Sequence, residues 1–332
     1  MVGAVLVRDG VIVGEGYHAA YGSDHAEVHA LRQAGPLARG ATAYVTLEPC
    51  AHVGHTPPCT DALIAAGVAR VVMAVRDPNP VARGGLERLT AAGIETTVGV
   101  EQEAARELNA PFFHSLASDR PWVTLKLAVS LDGAVADGFG TPGRLTGEAA
   151  LREVHRMRSG ADAVAVGIGT VLADDPLLTV RDADAPRTPP VRVVFDRHAR
   201  LPLASRLVHT IAEAPVLVVA TTPDPARAPA LAAAGVDVLV APSIDDALRR
   251  LRERGIRSLL LEGGPRLAGA FLAGAMVDRL VIFQAPVILG AGAKPAFGFA
   301  PAATVTTGRR LAVIDRRSVG ADFMTVFALS AL

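Results

Sequence analysis

Short apolar runs recur along almost the whole chain with helix-like stretches between them, and this alternation restricts the fold more than any other feature. Strands covered by helices on both faces read as Val, Ile and Leu runs, so the pattern predicts an α/β architecture. Val2 to Val7 and Val11 to Tyr17 flank Arg8-Asp9-Gly10 and read as a hairpin, because Asp-Gly tolerates the positive φ of a tight turn. His25 to Gln33 has helical spacing, Ala41 to Leu47 and Val68 to Val75 read as strands, and Asp61 to Ala66 and Leu86 to Ala92 read as helices. The expectation is a three-layer α/β/α sandwich. From Phe112 to Arg120 the alternation lapses, Pro121 follows, and a new strand begins at Trp122, which divides the chain into domains 1–117 and 118–332.

The second part offers strands at Trp122 to Val129, Ala163 to Val166, Val191 to Asp196, Val216 to Ala220, Val236 to Val240, Ser258 to Glu262, Leu280 to Ala285 and Phe323 to Leu329. Helices are expected at Glu148 to Arg158, Ala226 to Ala234, Ile244 to Arg254 and Leu267 to Ala275. No helix separates the last two strands, so the sheet should be parallel with an antiparallel end. Ala185 to Pro190 reads as a surface loop.

Charge narrows the partners. Thirty-three basic residues balance thirty-three acidic ones, so no net field draws the chain to nucleic acid or an anionic membrane. No apolar stretch reaches the roughly 18 residues of a membrane span. Arg8 and Asp9 interrupt the N-terminal apolar run before it resembles a signal peptide, and a cytoplasmic location follows. The two cysteines lie in one short segment, which excludes a disulfide framework and makes their use local.

That local use reads as metal chemistry. His25, Cys50 and Cys59 supply one imidazole and two thiolates, which leaves the fourth tetrahedral position of a zinc ion open to water, as a catalytic site requires. Glu27, two residues after His25 at a helix start, is placed to shuttle protons. Pro49-Cys50 and Pro58-Cys59 should each lead into a helical turn whose dipole favours thiolate. Zinc nucleobase deaminases use this ligand set with a non-ligating glutamate, although eight residues separate the cysteines here against two in the common signature. A structural metal clip completed by His29, His52 or His55 is the alternative.

Residues 25 to 61, HAEVHALRQAGPLARGATAYVTLEPCAHVGHTPPCTD, with Asp77-Pro78-Asn79-Pro80, resemble the deaminase half of the bifunctional riboflavin-biosynthesis deaminase-reductases. The long cysteine spacing is that family's own form. LKLAVSLDG at 125 to 133, GIGTVLADDPLLTVR at 167 to 181 and LEGGPRLAGAFL at 261 to 272 resemble its reductase half, so the likeness spans essentially the whole chain.

The resemblance implies a cytidine-deaminase-like first domain and a dihydrofolate-reductase-like second one. It implies deamination of 2,5-diamino-6-(5-phosphoribosylamino)pyrimidin-4(3H)-one, then NADPH-dependent reduction of the ribosyl group of 5-amino-6-(5-phosphoribosylamino)uracil. It assigns zinc to His25, Cys50 and Cys59, and the first substrate to His52, His55, Asp77 and Asn79. Ala128, Thr170, Asp174 and the run Gly264, Pro265, Arg266, Leu267, Ala268, Gly269 and Ala270 should line NADPH. Arg158, Leu178, Arg181 and Glu262 should line the phosphoribosyl substrate, with Lys126 as a further contact or an edge-strand charge. Glu262-Gly263-Gly264 ends a strand before a helix, where backbone amides can approach a phosphate, and Gly167 and Gly169 permit close approach beside Thr170.

Two departures qualify the likeness. Pro142-Gly143-Arg144-Leu145-Thr146 stands where the family commonly has Ser-x-Trp before Ile-Thr. The sequence starts at Met1-Val2-Gly3-Ala4-Val5, where the family has a helix and a Pro-Asn-Pro loop ahead of Val-Gly-Ala-Val; a misplaced start and weakened deamination are the expectations. The readings set beside this one are a tRNA or other nucleic-acid deaminase and a noncatalytic zinc-stabilised binding module. The favoured enzyme acts on a small molecule, without nucleic acid or membrane, as a homo-oligomer.

Overall fold

Asp9 and Gly10 both take positive φ, 52° and 77°, the backbone of a tight primed turn. They join β1 (Gly3–Arg8) to β2 (Val11–Tyr17) as an antiparallel pair. The computed structural model describes residues 2–18, 22–54, 56–139, 141 and 143–329. It divides into two compact units at Ala117/Ser118.

In the first unit β3 (Thr42–Val45), β4 (Arg70–Met73) and β5 (Glu95–Val98) extend the hairpin in the order β2-β1-β3-β4-β5, with β3 to β5 parallel. Helices α1 (Ala26–Ala34), α2 (Cys59–Ala66) and α3 (Gly85–Ala91) cover one face. There Ala26, Ala30, Leu63 and Leu89 share a buried cluster with Leu6, Ala43, Val71 and Met73. On the other face lies α4 (Gln102–Leu108), whose Ala105 packs with Leu47, Ala74 and Val75, and it is followed by α5 (Ala110–Ala117). An open groove of about 770 Å³ with Tyr44, Val72 and Leu108 in its walls runs beside α4. The three-layer sandwich is present.

The depth at which α1 sits is set by glycine. A Cβ on Gly14 or Gly16 would stand 2.2 Å from the carbonyl oxygen of Ala30 or Ala26 respectively. Only a residue without a side chain lets β2 run so close beneath the helix whose first turn carries Glu27.

The second unit is built on a nine-stranded sheet. Its strands are β6 (Trp122–Val129), β8 (Ala163–Gly167), β9 (Val191–Phe195), β10 (Val216–Ala220), β11 (Asp237–Val240), β12 (Ser258–Leu261), β13 (Arg279–Gln284), β15 (Ala312–Val319) and β16 (Asp322–Ala328). Their order is β11-β10-β9-β8-β12-β6-β13-β16-β15. Neighbours from β11 to β13 are parallel, whereas β16 runs against both β13 and β15. A two-stranded ribbon joins β7 (Ala134–Ala136) to β14 (Lys294–Pro295). The helices are α6 (Glu148–Ser159), α7 (Ile168–Asp174), α8 (Arg206–His209), α9 (Arg227–Ala233), α10 (Ile244–Glu253) and α11 (Pro265–Ala273). Alternate residues of the parallel strands feed two cores: Ala163, Ala165, Leu217 and Val219 enter one, and Val164, Val166, Val218 and Ala220 the other. Two-sided burial is why these strands read as unbroken apolar runs.

Several expectations change. The lapse expected from Phe112 holds the helix α5 up to Ala117. Lys126 is no edge-strand charge, because β6 lies between β12 and β13. Pro142 and His55 lie outside the described residues. Among the described residues no helix is long and apolar enough to cross a membrane.

Candidate active site

His25 is the N-cap of α1 in extended backbone, and Cys59 opens α2. These two helix starts bring the imidazole Nδ1 within 3.1 Å of Cys59 Sγ and 3.5 Å of Cys50 Sγ. The three donor atoms all lie within 4.8 Å of one another. Zinc at about 2.0 Å from nitrogen and 2.3 Å from sulfur in tetrahedral geometry sets an N···S edge of about 3.6 Å. The cluster therefore fits that ion, and among the described residues no fourth His, Cys, Asp or Glu joins the group. Cys50, contrary to expectation, starts no helix. Its carbonyl accepts from the Thr60 amide and hydroxyl, and its sulfur accepts the Cys59 amide at 3.3 Å, so one helix N-terminus serves both thiols. A hydrogen bond from the Cys59 thiol, with the His25 imidazole beside it, pulls the Cys50 thiol down to about 4, and the hydrogen bond to Cys50, together with burial, holds Cys59 up.

Glu27 is 3% exposed, and its Oε2 meets no hydrogen-bond partner. Burial pushes its carboxyl up, against the pull of its own backbone, with Cys50, His25 and Cys59 as its neighbours. A buried carboxyl with one idle oxygen beside an open metal position has the make-up of a proton carrier. The Nδ1 of His52 is likewise buried without a partner. Burial also raises Asp77, which feels the charges of Glu48, Cys50 and His52. Asp77 Oδ1 accepts the Asn79 amide at 2.8 Å, and Asn79 Oδ1 accepts that of Val81 at 3.1 Å, which rigidifies this loop.

The residue that holds this loop against the metal cluster went unnoticed in the sequence. Glu48 accepts the amides of Asp77, Gly84 and Leu86 at 3.0, 3.1 and 3.0 Å and the Arg76 Nε at 3.3 Å. Burial alone would raise this carboxyl; the amides and the guanidinium outweigh burial and hold it below the usual range. Gly85 completes the seam, since a Cβ there would stand 1.9 Å from the Pro49 carbonyl oxygen.

In the second unit the candidate residues gather at the carboxyl ends of β6, β12 and β8, which are neighbours in the sheet. α/β sheets take ligands at such an edge. β8 leads through Gly167 into α7 and β12 through Gly263 and Gly264 into α11. A Cβ on Gly264 would lie 3.7 Å from Thr170 Oγ1, so the two glycine-bearing loops touch. Backbone amides at two neighbouring helix starts suit the phosphates of a dinucleotide. Arg266 stacks over Phe299, and burial raises Asp174 at the end of α7 against the pull of Lys294. Ala128 is on β6 and Leu178 on the loop after α7.

Glu262 follows β12 beside Lys126, whose Nζ is 3.9 Å from it. Arg158 of α6 grips Glu262 with two bonds of 2.6 and 3.0 Å and gives Nη1 to the Thr179 carbonyl at 3.0 Å. Three of its five N–H groups are thus engaged within the protein, whereas Arg181 is exposed. Burial would raise Glu262, but Arg158 and Lys126 outweigh it; burial lowers Lys126 despite Glu262. The long-range pairing of Arg158 is invisible in sequence.

Fold and site define a zinc-dependent deaminase joined to a dihydrofolate-reductase-like, NADPH-dependent reductase. Residues 1–75 match the cytidine and deoxycytidylate deaminase zinc-binding region, and residues 121–321 match the RibD C-terminal domain. The chain is 47% identical over 294 residues to the riboflavin biosynthesis protein RibD of Aquifex aeolicus, covering 88% of this chain and 82% of that one. It is 42% identical to that of Mycobacterium tuberculosis over 97% of this chain and 89% of that one. The solved structure of Acinetobacter baumannii RibD, form 1, superposes with a TM-score of 0.83 at 38% identity, covering 98% of this chain and 91% of that one. The diaminohydroxyphosphoribosylaminopyrimidine deaminase/5-amino-6-(5-phosphoribosylamino)uracil reductase of Thermotoga maritima gives 0.83 at 36% identity with the same coverage. The chain belongs to the RibD family of bifunctional riboflavin-biosynthesis deaminase-reductases. It deaminates the phosphoribosyl-diaminopyrimidine and reduces the ribosyl group of the product, with zinc and NADPH as cofactors. The readings as a nucleic-acid deaminase or a noncatalytic zinc module are overturned by the match of both halves.

Proposed function

We propose that residues 1–117 carry the deamination and 118–332 the reduction, with the roles divided as follows. His25, Cys50 and Cys59 hold zinc, which supplies Lewis acidity toward water. Glu27 would carry two protons in turn on its idle Oε2, the first from that water to the ring nitrogen and the second from the newly added hydroxyl to the departing amine. His52, Asp77 and Asn79 bind the pyrimidine and phosphoribosyl groups, joined by His55. In the second unit Ala128, Thr170, Asp174 and Gly264 to Ala270 bind NADPH, which supplies the reducing equivalent. Arg158, Leu178, Arg181 and Glu262, with Lys126, contact the phosphoribosyl substrate, and Arg158 also holds Glu262 in place. We propose also that the protein works in the cytoplasm as a homo-oligomer without nucleic acid, which its balanced charge supports.

The observation that carries the reading is the cluster of half-buried His25 with buried Cys50 and Cys59, beside a buried glutamate with an unpartnered oxygen in the first turn of the helix that His25 caps. Glu27→Gln should keep zinc and lose roughly 10²–10⁴ in deamination rate. Zinc content with both half-reaction rates tests it; undiminished deamination would remove Glu27 from this role.

A further inference from the structure

The segment between α7 and β9 is held in place by buried side chains from two separate elements. Asp175, Leu178 and Asp182 all have positive φ, 38°, 55° and 52°, a conformation that costs non-glycine residues free energy. Something must hold such a path. Arg192 of β9, fully buried, gives Nη1 to the Leu177 carbonyl at 3.1 Å. Arg158 gives Nη1 to the Thr179 carbonyl. His155, also fully buried, accepts the Arg181 amide on Nδ1 at 3.0 Å. A nitrogen that accepts carries no proton, so His155 is neutral with its proton on Nε2. His155 and Arg158 are three residues apart on α6 and lie on one face of it. The same helix face therefore fixes Glu262 through Arg158 and the backbone of Arg181 through His155.

We infer that His155 is a positioning residue for ribosyl reduction: it fixes the Arg181 backbone so that the exposed guanidinium meets the phosphate monoester of the substrate. This rests on the reading of Arg181 as a substrate contact. His155 itself touches no reacting atom. Its loss lets the strained segment relax, which costs substrate affinity and leaves the chemical step alone.

The test is steady-state reduction of 5-amino-6-(5-phosphoribosylamino)uracil by the full chain and four variants: His155→Leu, His155→Asn, Arg181→Ala and the double variant His155→Leu/Arg181→Ala. Losing one buried hydrogen bond of about 1.4 kcal/mol corresponds to tenfold. His155→Leu should raise KM about tenfold with kcat nearly unchanged. His155→Asn, which keeps an acceptor at the place of Nδ1, should restore it. The double variant should be no worse than Arg181→Ala, because both act through one contact. Multiplied losses in the double variant, or a fall in kcat at unchanged KM for His155→Leu, overturn the inference while the role of Arg181 stands. An Arg181→Ala variant with unchanged KM overturns the reading beneath it. Amide hydrogen exchange on the unaltered chain tests the clamp without any variant: the Arg181 amide should be protected in its exposed segment, and rapid exchange there contradicts the clamp.

Discussion

Glu48→Gln tests the link between the metal cluster and the Asp77 loop with one atom exchanged. Each carboxylate oxygen accepts twice: Oε1 takes the Gly84 and Leu86 amides, and Oε2 takes the Asp77 amide and the Arg76 Nε. A glutamine has one acceptor oxygen, so one pair of donors must face an NH₂ group. Turning that group toward Asp77 is the cheaper choice, because the Arg76 side chain is 45% exposed and finds water. The Asp77 amide is buried and loses a bond to a charged acceptor, about 1.5–3 kcal/mol, and the remaining bonds weaken as the charge goes. The sum is about 2–4 kcal/mol, taken from the first unit alone. Urea unfolding should show an earlier transition for the first unit, and deamination should fall about tenfold or more as Asp77 and Asn79 lose their anchor. Reduction should be unchanged. Wild-type deamination together with an unmoved unfolding curve would refute the assignment of Glu48 as the anchor.

Other consequences follow from packing and charge. Gly16→Ala forces a Cβ to within 2.2 Å of the Ala26 carbonyl oxygen, so it should cost about 1–3 kcal/mol or more and displace α1 with Glu27; thermal unfolding with deaminase turnover reads both. Chelation of zinc should abolish deamination and spare NADPH-dependent reduction, measured on one preparation before and after dialysis. Burial, with Arg158 and Arg181 nearby and against Glu262 and Asp182, keeps the His155 imidazole below its ordinary 6.5. The unfolded chain then takes the proton first, so the stability of the second unit is full above that value and falls as pH drops through it; His155→Asn should flatten this slope in pH-dependent unfolding.

The parts of this protein governed by local rules were readable from sequence, and those set by distant partners were not. The Asp9-Gly10 hairpin, the helix after His25 and the apolar parallel strands such as Ala163–Gly167 carry their own signals in turn chemistry and burial. The antiparallel end was legible in the missing helix before β16. β15 was missed because its sequence AVIDRRSV is exposed along most of its length and has no apolar alternation to show. β5 is short, polar and at a sheet edge. In the site, His25, Cys50 and Cys59 announce themselves by ligand chemistry. Glu48 and His155 look like ordinary polar residues until partners 28 to 38 and 26 residues away are brought beside them. The pairing of Arg158 was hidden for the same reason: Glu262 is 104 residues distant.

The central claim is that one chain deaminates a phosphoribosyl-diaminopyrimidine at zinc and then reduces the product with NADPH. Simultaneous measurement of ammonia release and NADPH oxidation, by purified zinc-loaded protein on that substrate, tests this most directly. Ammonia should appear whether or not NADPH is present, and added NADPH should be consumed in an amount equal to the ammonia, after a lag. Zinc-loaded protein that oxidises NADPH on the undeaminated substrate without releasing ammonia would contradict the account.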